Sequence, residues 1–176
     1  MSAASASATT RYVSKSGKDT SQCTLGEPCL TVGHAVEKVA QAGDTIEIGP
    51  GTFTEHFTVE KALNFVGAGA GTASSYDPLH DTLIDGSTTS GDKIFDFAGC
   101  SFSTLRVNGG HGGVEITPAL YLQASAGKGS VSFALDNVVA TQPPRGSGQS
   151  VDGAPVVLEA VFTVTNTATI TGLTSI

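Results

Sequence analysis

Between Asp77 and Asp96 the chain carries Asp77, His80, Asp81, Asp85, Asp92 and Asp96. Carboxylates gathered on one groove supply the oxygen ligands that a hard cation such as Ca2+ requires, and the bound ion would offset the charge of an acidic sugar. Asp77, Asp81, Asp92 and Asp96 are therefore the candidate metal ligands, and Asp85 is a candidate catalytic carboxylate. A second constellation is NGGHGGVEI, from Asn108 to Ile116, in which His111 stands between glycines as a candidate for proton transfer. A third is Arg106 in TLRVN, which strand alternation places on the face opposite its apolar neighbours Leu105 and Val107. Each has a plainer reading. Aspartate is a common turn residue, glycines beside His111 suit a corner that needs positive φ, and a lone exposed arginine is ordinarily solvated surface.

The elements that would position these residues are short strands. From TIEI (45–48) onward the chain is a succession of β phrases: FTV (57–59), ALNFVGAG (62–69), TLIDG (82–86), KIFDFAG (93–99), TLRVNGG (104–110), GVEI (113–116), ALYLQ (119–123), SVSFALDNVVAT (130–141), PVVLEAVFTV (155–164) and TATITG (167–172). Several alternate apolar residues and then meet Gly or Asn, as strands ending at corners do. Similar phrases recur at uneven intervals. That suits stacked coils with insertions at their corners, namely 69–81 and 142–153, better than the regular units of a propeller. A helix is predicted over 30–42. Leu30, Val32, Ala35, Val36 and Val39 form its apolar stripe, Thr31 its N-cap, and Gly43 its stop.

Composition bounds the partners. The 176 residues suit one domain, with 39% hydrophobic and 14% charged residues, 22 glycines and no tryptophan. A net charge of −7 repels phosphate backbones and anionic membrane surfaces, so nucleic acid is excluded as a partner. No apolar run approaches a membrane span. Neutral glycans remain compatible, as do acidic polysaccharides held through a cation. Phe53, Phe57, Phe65, Phe95, Phe97, Phe102 and Phe133 fall at apolar strand positions and are expected to stack inside. Cys23 and Cys29, six apart in CTLGEPC, fit a disulfide loop, a reduced structural pair or, poorly, a metal site. Cys100 in FAGCSF reads as a buried small residue.

The segments YVSKSGKD (Tyr12–Asp19), PCLTVGHAVEKVAQAGDTIEIGPGTFTE (Pro28–Glu55) and ALNFVGAG through TLIDG (Leu63–Gly86) together resemble the opening of right-handed parallel β-helix proteins of the pectin lyase-like superfamily. The resemblance covers nearly half the chain, with Phe53 where Tyr is usual. It implies an all-β solenoid whose first coil begins at TIEI beneath a capping helix, with Gly49-Pro50-Gly51 as a corner. Residues 1–10 then read as a flexible segment, and 11–176 as a single β-helix domain, the N-terminal part of a longer β-helix. The open end would be covered by remaining coils or by another subunit. The superfamily includes lyases, hydrolases, adhesins and phage-tail fibres, so fold alone does not choose the activity.

GGHG is similar to the catalytic-histidine phrase of polygalacturonases, but the accompanying Asn-Thr-Asp, paired-aspartate and Arg-Ile-Lys phrases are missing. Lyases of this type use a Lys or Arg base, for which Lys93, Arg106 and Lys128 are the residues to weigh. The favoured expectation is a secreted or cell-surface domain that is structural, adhesive or glycan-contacting and has no complete catalytic site. A pectate-lyase-like or polygalacturonase-like enzyme portion and a fibre subunit are the alternatives.

Overall fold

The computed structural model describes residues 7–72, 74–86, 99–109 and 132–141 with their side chains. It also describes the backbone of the strands at 94–96, 111–112, 115–116, 120–124, 150–151, 156–160, 167–171 and 174–175. In chain order the elements are β1 (Thr10–Val13), then α1 (Val32–His34) running on as a π-helical stretch (Ala35–Val39). Next come β2 (Thr45–Ile48), β3 (Gly51–Phe53), β4 (Thr58–Val59), β5 (Asn64–Gly67), β6 (Thr82–Asp85), β7 (Ile94–Asp96) and β8 (Ser101–Asn108). They are followed by β9 (His111–Gly112), β10 (Glu115–Ile116), β11 (Leu120–Ala124), β12 (Ser132–Thr141), β13 (Ser150–Val151), β14 (Val156–Ala160), β15 (Thr167–Thr171) and β16 (Thr174–Ser175).

The strands are joined almost wholly in parallel. β1, β2, β5, β8, β12 and β15 lie side by side in that order. β3, β6, the second half of β8, the second half of β12 and β16 form another parallel run, continuous with the first because β8 and β12 belong to both. β4, β7, β11 and β14 make a separate parallel sheet. The described chain is thus mostly parallel β-sheet with one short helix. Among the described strands the exception to parallel pairing is β9 with β10, where His111 faces Ile116 across an antiparallel pair and β13 adds in parallel to β10.

Alternation explains which side of each strand is inside. In TIEI, Ile46 and Ile48 are buried and Glu47 is exposed. Parallel register then places like on like: Ile46 opposes Phe65, Phe65 opposes Phe102, and Phe102 opposes Leu135. The Phe65 and Phe102 rings stack at 4.8 Å and 5°, and Phe57 lies 6.0 Å from Phe65. Phe53, Phe57, Phe65, Phe102 and Phe133 are all buried, as their strand positions predict. Phe97 lies outside the described residues, and only the backbone of Phe95 is placed.

The long strands β8 and β12 each turn a corner midway. Thr104 and Asn137 adopt φ of 53° and 51°. Register aligns them, since Ser103 opposes Asp136 and Leu105 opposes Val138. The corner shifts the inward set, so that Phe102 is followed inside by Leu105 and Val107. Next to it, a Cβ at Gly67 would collide with the Thr104 carbonyl and the Leu105 side chain.

The helix is shorter than the predicted 30–42. Thr31 is its N-cap as expected, accepting from His34 N–H at 3.2 Å, and Val32, Ala35, Val36 and Val39 are buried. Leu30 departs from the expected stripe and is exposed. It precedes the first helical residue, and its N–H is held outside by Asp19 Oδ1 at 2.9 Å. At the far end Ala40 N–H reaches back five residues to the Ala35 carbonyl, a widened turn that ends the helix before Gly43.

Both ends are clamped by side chains. Glu55 accepts from Val32 N–H at 2.9 Å and Gly33 N–H at 2.7 Å, while Lys61 Nζ donates to the Val36 and Ala40 carbonyls at 2.8 and 2.7 Å.

Cys23 and Cys29 are disulfide-bonded, which decides among the three readings of that pair. Their segment covers the outer edge of β1: Tyr12 N–H donates to Cys23 O, and Cys29 O accepts from Ser14 N–H. Ordered pairing begins before residue 11, for Thr9 N–H donates to Asp44 and Thr45 N–H to Thr9 O. Cys100 lies outside the disulfide and is buried, as read from its apolar setting, with its thiol donating to the Lys61 carbonyl at 3.4 Å. No helix among the described residues is long and apolar enough to cross a membrane.

Candidate functional site

The predicted acidic set is divided by the fold. Asp77, His80 and Asp81 occupy the loop before β6, where they bond chiefly to one another. Asp77 Oδ1 accepts from Leu79 N–H at 3.0 Å, and Asp77 Oδ2 lies 2.7 Å from His80 Nδ1. Asp81 Oδ2 accepts from Asp77 N–H at 2.8 Å. These are the bonds of a side-chain-closed turn. The Leu79 amide and then the His80 ring hold the Asp77 carboxyl below its usual range, and the same Asp77 contact raises His80. Asp81 also sits so close to the backbone at Gly69 that a Cβ there would strike its carboxylate.

Asp85 is on β6, not in that loop. It faces Asn108 in register, and Asn108 Nδ2 donates to Asp85 Oδ1 at 3.4 Å. Thr141 Oγ1 donates in turn to Asn108 Oδ1, so Asp85, Asn108 and Thr141 form a polar row across three neighbouring strands. The backbone of Asp96 lies in the other sheet, opposite Val59 and Leu122. Asp92 lies outside the described residues. Among the described residues no three His, Cys, Asp or Glu side chains are grouped to hold a metal ion.

Arg106 is on the outer side of β8, flanked by buried Leu105 and Val107, as alternation predicts. Its Nη1 donates to the Thr72 carbonyl at 2.8 Å. The guanidinium therefore helps fasten the 68–81 loop to the outer face. Tyr76 fastens the same loop through its hydroxyl, 2.8 Å from Thr52 Oγ1. Burial, and to a lesser degree the charges of Asp81, Asp85 and Asp77, push the Tyr76 phenol up. Only the backbone of His111 is placed, in the β9–β10 pair; its imidazole, Lys93 and Lys128 lie outside the described residues.

Two features escaped sequence reasoning. One is the buried Asp44, whose side chain is 3% exposed and is tied to Thr9 N–H, Gln41 N–H and Arg11 Nε at 2.8 to 3.0 Å. Burial raises this carboxyl, but the Gln41 and Thr9 amides and the Arg11 guanidinium outweigh it and hold it low. The other is a shallow groove of about 400 Å³ on the outer side of β1 and β2, lined by Tyr12, Ser14, Ser16, Leu25, Pro28 and Glu47 among others. Its parts come from positions far apart in the chain. The available sequence signal was the outward parity of Tyr12 and Glu47 within their strands.

Comparison of the chain with protein-family models, with curated proteins and with solved structures gives no match.

Proposed function

We propose that this chain is a secreted or cell-surface domain built as a right-handed parallel β-helix of the pectin lyase-like kind. Its role is structural, adhesive or glycan-contacting, and it lacks a complete catalytic centre. The architecture is supported by recurrence. Passing through β2, β3 and β4, then β5, β6 and β7, the chain visits the same three parallel runs in the same order. The buried disulfide favours an oxidising compartment.

The observation that carries the non-catalytic reading is how the candidate side chains are engaged. Asp77 and Asp81 close their own turn, and Arg106 is fastened to the Thr72 carbonyl. A general base or calcium ligand must instead present its lone pairs or proton to substrate or ion. The test is incubation with polygalacturonate and other polyuronates, with and without added Ca2+, following unsaturated products by ultraviolet absorbance and reducing ends by titration. No product is expected under either condition. Calcium-dependent product release that is lost in Arg106→Ala would replace this reading with an enzymatic one.

A further inference from the structure

The groove beside the disulfide loop has a composition suited to a sugar. We propose that Tyr12, Glu47, Leu25 and Pro28 form a binding site for a neutral glycan, an inference that rests on the glycan-contacting reading above and gives it a location. Tyr12 and Glu47 are direct register partners on β1 and β2, and both line the groove. Tyr12 is half-buried and Glu47 is exposed. Among the described residues neither the Tyr12 hydroxyl nor the Glu47 carboxylate has a hydrogen-bond or ion-pair partner. An aromatic ring and a carboxylate thus stand side by side with their bonding capacity unspent. Ser14 and Ser16 add two hydroxyls, 3.1 Å from each other, at the same wall.

Leu25 and Pro28 make the apolar part of the lining. Leu25 is 74% exposed, in a loop closed by the Cys23–Cys29 disulfide and hydrogen-bonded to β1. A pyranose has an apolar C–H face and an edge of hydroxyls. The Tyr12 ring, Leu25 and Pro28 suit the first, and Glu47 with the serines suits the second. A volume of about 400 Å³ falls within the range of small-ligand sites. Charge selects among glycans. Glu47 and a net charge of −7 disfavour uronates, leaving neutral chains. An apolar protein segment would use Leu25 and Pro28 but leave Glu47 and the serines unmatched, so a glycan is the better fit.

The experiment is titration calorimetry of the full 176-residue chain with neutral glucan, mannan and galactan hexasaccharides, and with oligogalacturonate as the acidic counterpart. Tyr12→Thr keeps a β-forming residue, and Glu47→Gln keeps shape and removes charge; both are checked for an unchanged melting temperature. Binding of one of the neutral hexasaccharides is expected, weakened at least tenfold by Tyr12→Thr and several-fold by Glu47→Gln. A Glu60→Gln control, at an exposed position outside the groove lining, is expected to bind as wild type. If a glycan binds but the Tyr12 and Glu47 variants bind equally well, the groove is not the site, while the glycan-contacting reading stands. If only oligogalacturonate binds, the groove assignment is wrong. If neither class of sugar binds, both the groove and the glycan-contacting reading fall.

Discussion

At the scale of single residues, the two aligned corners of β8 and β12 differ in how well their residues suit them. Asn tolerates the left-handed region at Asn137, whereas Thr104 places a β-branched side chain at φ 53°. That conformation costs about 1 kcal/mol or more. Thr104→Asn is therefore expected to raise the urea midpoint by an equivalent of roughly 1 kcal/mol. Gly67→Ala is expected to act in the opposite sense, because its methyl would meet the Thr104 carbonyl and Leu105 in the adjacent strand. Overpacking of this kind costs about 1–3 kcal/mol and is read in the same denaturation curves. Neither effect was legible in the chain. GAG and STLR give no sign of which glycine lies beside which corner until register is known.

At the scale of elements, the helix is held by side chains from beyond it. Glu55→Ala leaves the Val32 and Gly33 amides without their acceptor, and a loss of about 1–2 kcal/mol is expected in thermal or urea unfolding.

The two carboxylates around this element also give stability opposite pH dependences. Asp44 is held low, so its contribution is present above its ordinary value and is lost as pH falls through the depressed one. Glu55 is raised: burial pushes it up most, the Gly33 and Val32 amides oppose this, the Asp19 charge adds to the rise, and Lys15 opposes it. Between its ordinary and raised values the native state holds more protons than the unfolded state. Stability from this group therefore declines as pH rises through that window. Unfolding midpoints measured from acid to neutral pH are expected to show a flattened acid limb in Asp44→Asn, and loss of the Glu55 decline in Glu55→Gln. The helix itself was legible from Thr31 and the spacing of Val32, Ala35, Val36 and Val39. Its partners were not, because Glu55 lies beyond β2 and β3, and Lys61 beyond β4 as well.

At the scale of the whole molecule, parallel sheets must protect their edges. On the N-terminal side, β1 covers β2, and the Cys23–Cys29 segment covers β1. A chain lacking residues 1–42 would expose the β2 edge and the apolar residues that Val32, Val36 and Val39 cover. Light scattering is expected to show it aggregated where the full chain is dispersed. Opening the disulfide by Cys23→Ala with Cys29→Ala is a milder injury. A closed loop of this length contributes about 2 kcal/mol, so a lowered melting temperature with retained β-sheet signal is expected.

The sequence by itself determined the strand-rich class, the inward aromatic positions, the capped helix and the turn character of Asp77 and Asp81. These follow from periodicity, local hydrogen bonding and backbone preference, which act over a few residues. Only the tertiary structure decided that Arg106 fastens a distant loop, that Asp85 joins a row with Asn108 and Thr141, and that Tyr12 and Glu47 share a groove with Leu25. The reason is register. In a parallel sheet, neighbours in space are separated by a whole passage of chain, and nothing local specifies how long that passage is.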